Sequence, residues 1–101
     1  MASRLELQKL LENTLGSRNV YFKPPESTKI QYPCIIYDRA RGRSFQANDE
    51  LYNYRKSYTL TVIDTNKDSE IPDRLEALRY CTMDRYYPAD NLNHWTFTIY
   101  Y

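Results

Sequence analysis

Few residues in this chain are suited to covalent chemistry. His94 is the only histidine, and it follows Asn93 at the start of an apolar alternating run. A nucleophile for it to activate would have to be Cys34 or Cys81, the two cysteines, and both lie in strand-like contexts far from it in sequence. Activation requires hydrogen-bond reach between thiol and imidazole, and no spacing here points to it. The paired carboxylates Asp49/Glu50 and Asp68/Glu70 sit in turn and helix-cap settings, where Asp and Glu accept backbone N–H groups. A zinc site of the usual four ligands cannot be built from Cys34, Cys81 and His94. Two glycines leave no Gly-rich phosphate loop. The expectation is a protein that is not an enzyme and needs no metal or cofactor.

What remains is binding. Arg39, Arg41 and Arg43 alternate, so on an extended chain they share one face. They occur in a sequence with eleven tyrosines, and basic strips with aromatic platforms bind single-stranded nucleic acid. Yet net charge is only +1, and Asp38, Asp49 and Glu50 dilute the strip. A dedicated nucleic-acid module is more basic than this. No apolar run is long enough to cross a bilayer. The first helix, with Arg4 and Lys9 against Glu6 and Glu12, is not a basic membrane anchor. Residues 1–101 show no targeting segment, and free thiols suit a reducing cytoplasm. Tyrosine supplies rigid contact area with a polar tip and is enriched at protein interfaces.

The elements that must hold these residues follow from periodicity. Ser3 and Glu6 form a capping box. Leu7, Leu10, Leu11 and Leu15 then recur at helical spacing up to Gly16, which predicts an amphipathic helix over 4–15. Asn19–Phe22 is a short β-prone run closed by Pro24 and Pro25. Cys34–Tyr37 is continuously apolar, as in a strand covered on both faces. The longest alternation is 51–65. Tyr52, Tyr54, Tyr58, Leu60 and Val62 share one face, and a polar set shares the other. Wholly extended it would span about 50 Å, so part of it is expected to project or to pair with another copy. Residues 39–56 read as a protruding hairpin arm or loop. A helix over about 70–79 starts at Asp68 or Ser69, a strand covers 80–87, Pro88–Asn91 turns, and 94–101 closes the chain as a strand. The order predicts one α+β domain over 1–101: a mainly antiparallel sheet, both helices packed on one face, and a long β-hairpin arm.

Three stretches carry a resemblance: LLENTLGSRNVYFKPPESTKIQYPCIIY, YTLTVIDTNKDSEIPDRLEAL and DRYYPADNLNHWTFTIYY. They resemble small virion proteins of tailed bacteriophages, of the tail terminator or tail-completion (head-to-tail joining) kind. The element order is also similar to the lambda-type tail terminator. That resemblance implies a structural virion protein, made in the host bacterial cytoplasm. It would form a hexameric ring that ends the tail tube and joins it to the head or neck. The implied partners are further copies of the chain, the tail tube protein, a neck or head-completion protein, and passing phage DNA met without sequence preference. Arg39, Arg41, Arg43 and Phe45 on the arm, with Tyr52, Tyr54 and Tyr58 at the start of the long strand, are the expected subunit or lumen contacts. The alternatives are a neck or head-closure adaptor and, behind it, a small nucleic-acid-binding module.

Overall fold

Leucines at every fourth position set the first element. The computed structural model describes residues 4–24, 27, 29–40 and 57–101. Helix α1 spans Arg4–Leu15 and buries Leu7, Leu11 and Leu15. It stops at Gly16, whose φ of +88° few side-chain-bearing residues adopt, and whose N–H donates to the Glu12 carbonyl at 2.8 Å. A Cβ at Gly16 would meet only Arg74 Nη1, at 3.9 Å, so space is not the obstacle. Gly16→Ala should therefore cost about 1 kcal/mol through backbone strain alone, read as a small drop in the urea midpoint with an unchanged slope. Ser3 of the expected capping box lies outside the described residues.

The strands are β1 (Val20–Phe22), β2 (Cys34–Arg39), β3 (Ser57–Asp64), β4 (Cys81–Ala89) and β5 (Leu92–Tyr100). They form one five-stranded sheet in the order β1-β2-β3-β5-β4. The protein is α+β, as expected, but the sheet is mixed: β1 pairs with β2 in parallel, and the other pairs are antiparallel. The parallel pair arises because the chain between β1 and β2 returns to the end it started from instead of turning tightly. Helix α2 (Ile71–Glu76) lies in the connection from β3 to β4. Leu7, Leu11 and Leu15 of α1 and Ile71 and Leu75 of α2 join one buried cluster with Ile35, Tyr37, Leu60, Val62, Phe97 and Ile99. Both helices thus cover the same face.

Several boundaries differ from expectation. Helix α2 is shorter than 70–79. Its N-cap is Glu70, which makes no side-chain cap bond, and Pro72 sits in its first turn. Ser69 Oγ accepts instead from the Ile71 N–H at 3.3 Å. Past Glu76 the chain tightens, with Leu78 N–H donating to the Leu75 carbonyl at 3.0 Å, and Tyr80 at φ +61° swings it into β4. Pro88 lies inside β4, not in the turn. The turn is Asp90–Asn91, both at positive φ (54° and 63°), closed by the Ala89–Leu92 pair. That is the requirement of a two-residue type I′ hairpin.

The long alternating stretch is only partly visible as strand. β3 begins at Ser57; residues 51–56, with Tyr52 and Tyr54, lie outside the described residues, as does 41–50 of the arm. Over β3 the predicted parity holds up to Val62, with Tyr58, Leu60 and Val62 buried and Thr59 exposed; at its end Ile63 and Asp64, on opposite faces, are both buried. The strand is flanked by β2 on one side and β5 on the other along this length. Its described part therefore offers no free edge to another copy.

Candidate interaction surface

The proposed site residues fall into different environments. Arg39 is the last residue of β2, opposite Tyr58, and is exposed. It belongs to the sheet, because Ala40 N–H donates to the Ser57 carbonyl at 2.9 Å and holds the two strands together beyond it. Tyr58 is only 4% exposed and its ring lies 6.0 Å from that of Tyr37. Its place in the core comes from its even position on β3, the face that the helices cover. It is spent inside the subunit and is not a surface contact of the single chain. Arg41, Arg43, Phe45, Tyr52 and Tyr54 lie outside the described residues.

The groups considered for chemistry are not brought together. Cys81 pairs with Ile99 on the helix-covered face, whereas His94 points to the other face. Cys34 shares His94's face, but Ile63 of β3 stands between them, which separates the two backbones by about 10 Å. Burial pushes both thiols up to about 11, with Asp64 adding to the rise at Cys34 and Asp84 and Glu76 at Cys81. That is the wrong direction for a nucleophile. His94 instead stacks on Tyr87, ring centroids 4.8 Å apart and planes 7° from parallel, and Arg85 lies over the far side of the pair, 4.7 Å from the Tyr87 centroid. Among the described residues no group of three His, Cys, Asp or Glu could hold a metal ion, and no helix is long and apolar enough to cross a membrane.

The surface with a built character is the β4 edge. Four large hydrophobic side chains are exposed among the described residues: Leu5, Tyr32, Met83 and Tyr86. Two of them are on β4. Tyr86 is 44% exposed, yet it is held at both ends. Its ring packs on Trp95 at 5.3 Å, and its hydroxyl donates to Asn93 Oδ1 at 2.6 Å. Asn93 is buried and donates from Nδ2 to the Asp64 carbonyl at 3.2 Å. An exposed aromatic ring already fixed in place loses little entropy when something docks on it, which is the character of an interface anchor.

The same strand is ill-suited to growing the sheet. In a two-residue hairpin the closing pair, Ala89–Leu92, is hydrogen-bonded, so by alternation Pro88 falls at a pair whose main-chain groups face outward. Its missing N–H costs β5 nothing and denies one donor to any added strand. A bulge between Met83 and Arg85 breaks the register, and exposed Asp84 and Arg85 flank it. Proline, bulge and charge are the devices by which edges resist strand addition. What this edge presents for contact is side chains, not a run of free main-chain groups.

Sequence reasoning missed this surface. Met83, Tyr86 and Asn93 carry no motif, and only the Asp-Asn dipeptide, a tolerable pair for positive φ, marked the hairpin that lines them up. Hollows are also present elsewhere among the described residues. One, of about 330 Å³, is lined by Leu10, Leu78, Arg79, Tyr80, Tyr100 and Tyr101. The other, of about 360 Å³, is polar, and its Arg74 already donates to the Thr14 and Leu15 carbonyls at the end of α1. No known protein family, characterised protein or solved structure matches this chain.

Proposed function

We propose that this chain is a structural virion protein of a tailed bacteriophage, assembling as a ring, with six copies expected, that ends the tail tube and joins it to the head or neck. The observation that supports it is the β4 edge: a rigid aromatic anchor, Tyr86, beside Met83, on a strand blunted against open-ended sheet growth. Such an edge favours a closed contact of defined geometry over a fibril. In this reading binding is the whole mechanism. The subunit presents side-chain contacts to its neighbours, and the ring presents one face to the tube and one to the neck. Arg39, with Arg41 and Arg43, would face the lumen or a neighbouring subunit and touch passing DNA weakly, without sequence preference.

Electron microscopy of the particles tests the reading. The expected result is density for this chain at the head-proximal end of the tail tube, and tubes of uncontrolled length when the protein is missing. Shortening residues 41–48 should leave the melting temperature of the purified chain within a few degrees but prevent tail completion. Density on the head side of the neck would assign the chain to head closure instead. Absence from the particle would end the proposal.

A further inference from the structure

The two margins of the sheet are closed by different means. The β4 margin carries Pro88 and a bulge. At the other margin β1, Val-Tyr-Phe, has neither, and β2 is its one neighbour among the described strands. The bonds to β2 show which way its main chain turns. The Asn19 carbonyl accepts from the Ile35 N–H at 3.0 Å, and the Lys23 N–H donates to the Tyr37 carbonyl at 3.1 Å. Odd-numbered residues therefore face β2, and Val20 and Phe22 turn their N–H and C=O groups outward. Outward main-chain groups on a margin are the template on which a further strand adds.

Helix α1 reaches into that place. Gln8 Nε2 donates to the Val20 carbonyl at 3.0 Å, as the N–H of a sixth strand would. The Val20 N–H is used as well, by the Arg18 carbonyl at 2.8 Å. Gln8 is itself held in position. Its Nε2 also donates to Glu12 Oε2 at 3.0 Å, and its Oε1 accepts from the Tyr37 hydroxyl at 2.6 Å. That hydroxyl accepts in turn from Arg4 Nη1 at 3.0 Å, and the Arg4 guanidinium lies 4.4 Å from the centroid of the Phe22 ring. Arg4, Gln8 and Glu12 recur at every fourth position, so they form one stripe of α1, and the stripe runs beside β1. Both donors and the acceptor of the Gln8 amide are engaged. Past Phe22, Lys23 at φ +47° bends the chain away, and Pro24 offers no N–H.

We infer that Gln8 is an edge cap: its amide stands in for a neighbouring strand and keeps β1 from accepting one, whether from an extended peptide or from a stray copy of the chain. Covering an edge with a helix is one of the ways in which sheets avoid uncontrolled growth. Here the covering acts through one side chain on one carbonyl. It is a property of the single chain and holds whatever the role of that chain in a particle.

Gln8→Met tests it, because methionine has the length and helix preference of glutamine but no N–H to donate. Folded by circular dichroism, this variant should form thioflavin-positive assemblies roughly tenfold faster than the wild type at neutral pH and room temperature. Gln8→Lys keeps a donor long enough to reach the Val20 carbonyl and should assemble as slowly as the wild type. Tyr37→Phe removes a buried hydroxyl and one partner of Gln8 but leaves the bond to Val20. It should lower the urea midpoint without hastening assembly, which separates an opened edge from a general loss of stability. One readout needs no variant. In the wild-type chain the side-chain amide protons of Gln8 should exchange with water roughly tenfold more slowly than those of exposed Gln31, followed by NMR. Gln8→Met assembling no faster than the wild type overturns the inference. So does Gln8→Lys or Tyr37→Phe assembling as fast as Gln8→Met. Equal exchange at Gln8 and Gln31 overturns it even if the methionine variant fails to fold.

Discussion

Phe97→Ala should destabilise the protein by about 3–5 kcal/mol, the usual cost of removing a fully buried phenylalanine. Phe97 is 0% exposed and lies opposite Leu60 on β3 and Met83 on β4. Its neighbours on the covered face of β5, Trp95 and Ile99, are themselves held by flanking strands, so the walls of the resulting cavity have little freedom to collapse. Domains of this size have a total stability of about 5–15 kcal/mol, so the variant should lose about a fifth of its margin at the least. Urea unfolding followed by tryptophan fluorescence reads this directly, since Trp95 lies in the same cluster. Met83→Ala, on a side chain 38% exposed, is the control and should cost under about 1 kcal/mol. A loss below about 1 kcal/mol for Phe97→Ala would mean that this cluster is not the folding core.

Alkaline pH should unfold the protein well before the backbone is chemically at risk. Burial raises the Cys34 and Cys81 thiols from 9.0 to about 11, and burial also raises the Tyr37 hydroxyl above its ordinary value, against the lowering effect of Arg4. Below pH 9 the thiols are neutral in folded and unfolded chain alike, and their contribution is complete. Between pH 9 and 11 the unfolded chain releases protons that the folded chain retains, so stability falls as pH rises. Each thiol weighs on the order of 2–3 kcal/mol across that window. The melting temperature should therefore drop steeply from pH 9 to 11, and the drop should be shallower in a Cys34→Ala, Cys81→Ala variant. The comparison is between slopes, because the alanines also lower stability at neutral pH. Equal slopes would show that the thiols are solvated in the native state. The same burial predicts that neither thiol reacts with a disulfide reagent at pH 8 until denaturant is added.

The parts of the fold legible in the sequence were those carried by a local period. Leu7, Leu11 and Leu15 bury one face of α1, and Gly16 ends it, because a helix repeats every 3.6 residues and a glycine accepts positive φ without strain. Trp95, Phe97 and Ile99 alternate with half-buried neighbours in β5, because side chains on a strand point to opposite faces in turn. From those patterns the α+β class and the placing of both helices on one face follow. Periodicity says which residues share a face; it does not say which strand lies beside which. The parallel pairing of β1 with β2, the position of β4 outside β5, and the passage of Pro88 through a strand depend on contacts between distant segments.

The interaction surface shows the same division. Tyrosine abundance and the lack of a reactive constellation pointed toward binding, and both are matters of composition. Which tyrosines are available is a matter of neighbours. Tyr58 is on the helix-covered face and is consumed by the core, whereas Tyr86 is at the uncovered margin, with its hydroxyl anchored on Asn93, a residue seven positions away brought opposite by the Asp90–Asn91 hairpin. The sequence by itself determined the order of the main elements and most of their amphipathic faces. Only the tertiary structure decided that the two halves end as opposite sides of one sheet, because strand order is chosen by long-range burial that no local pattern encodes.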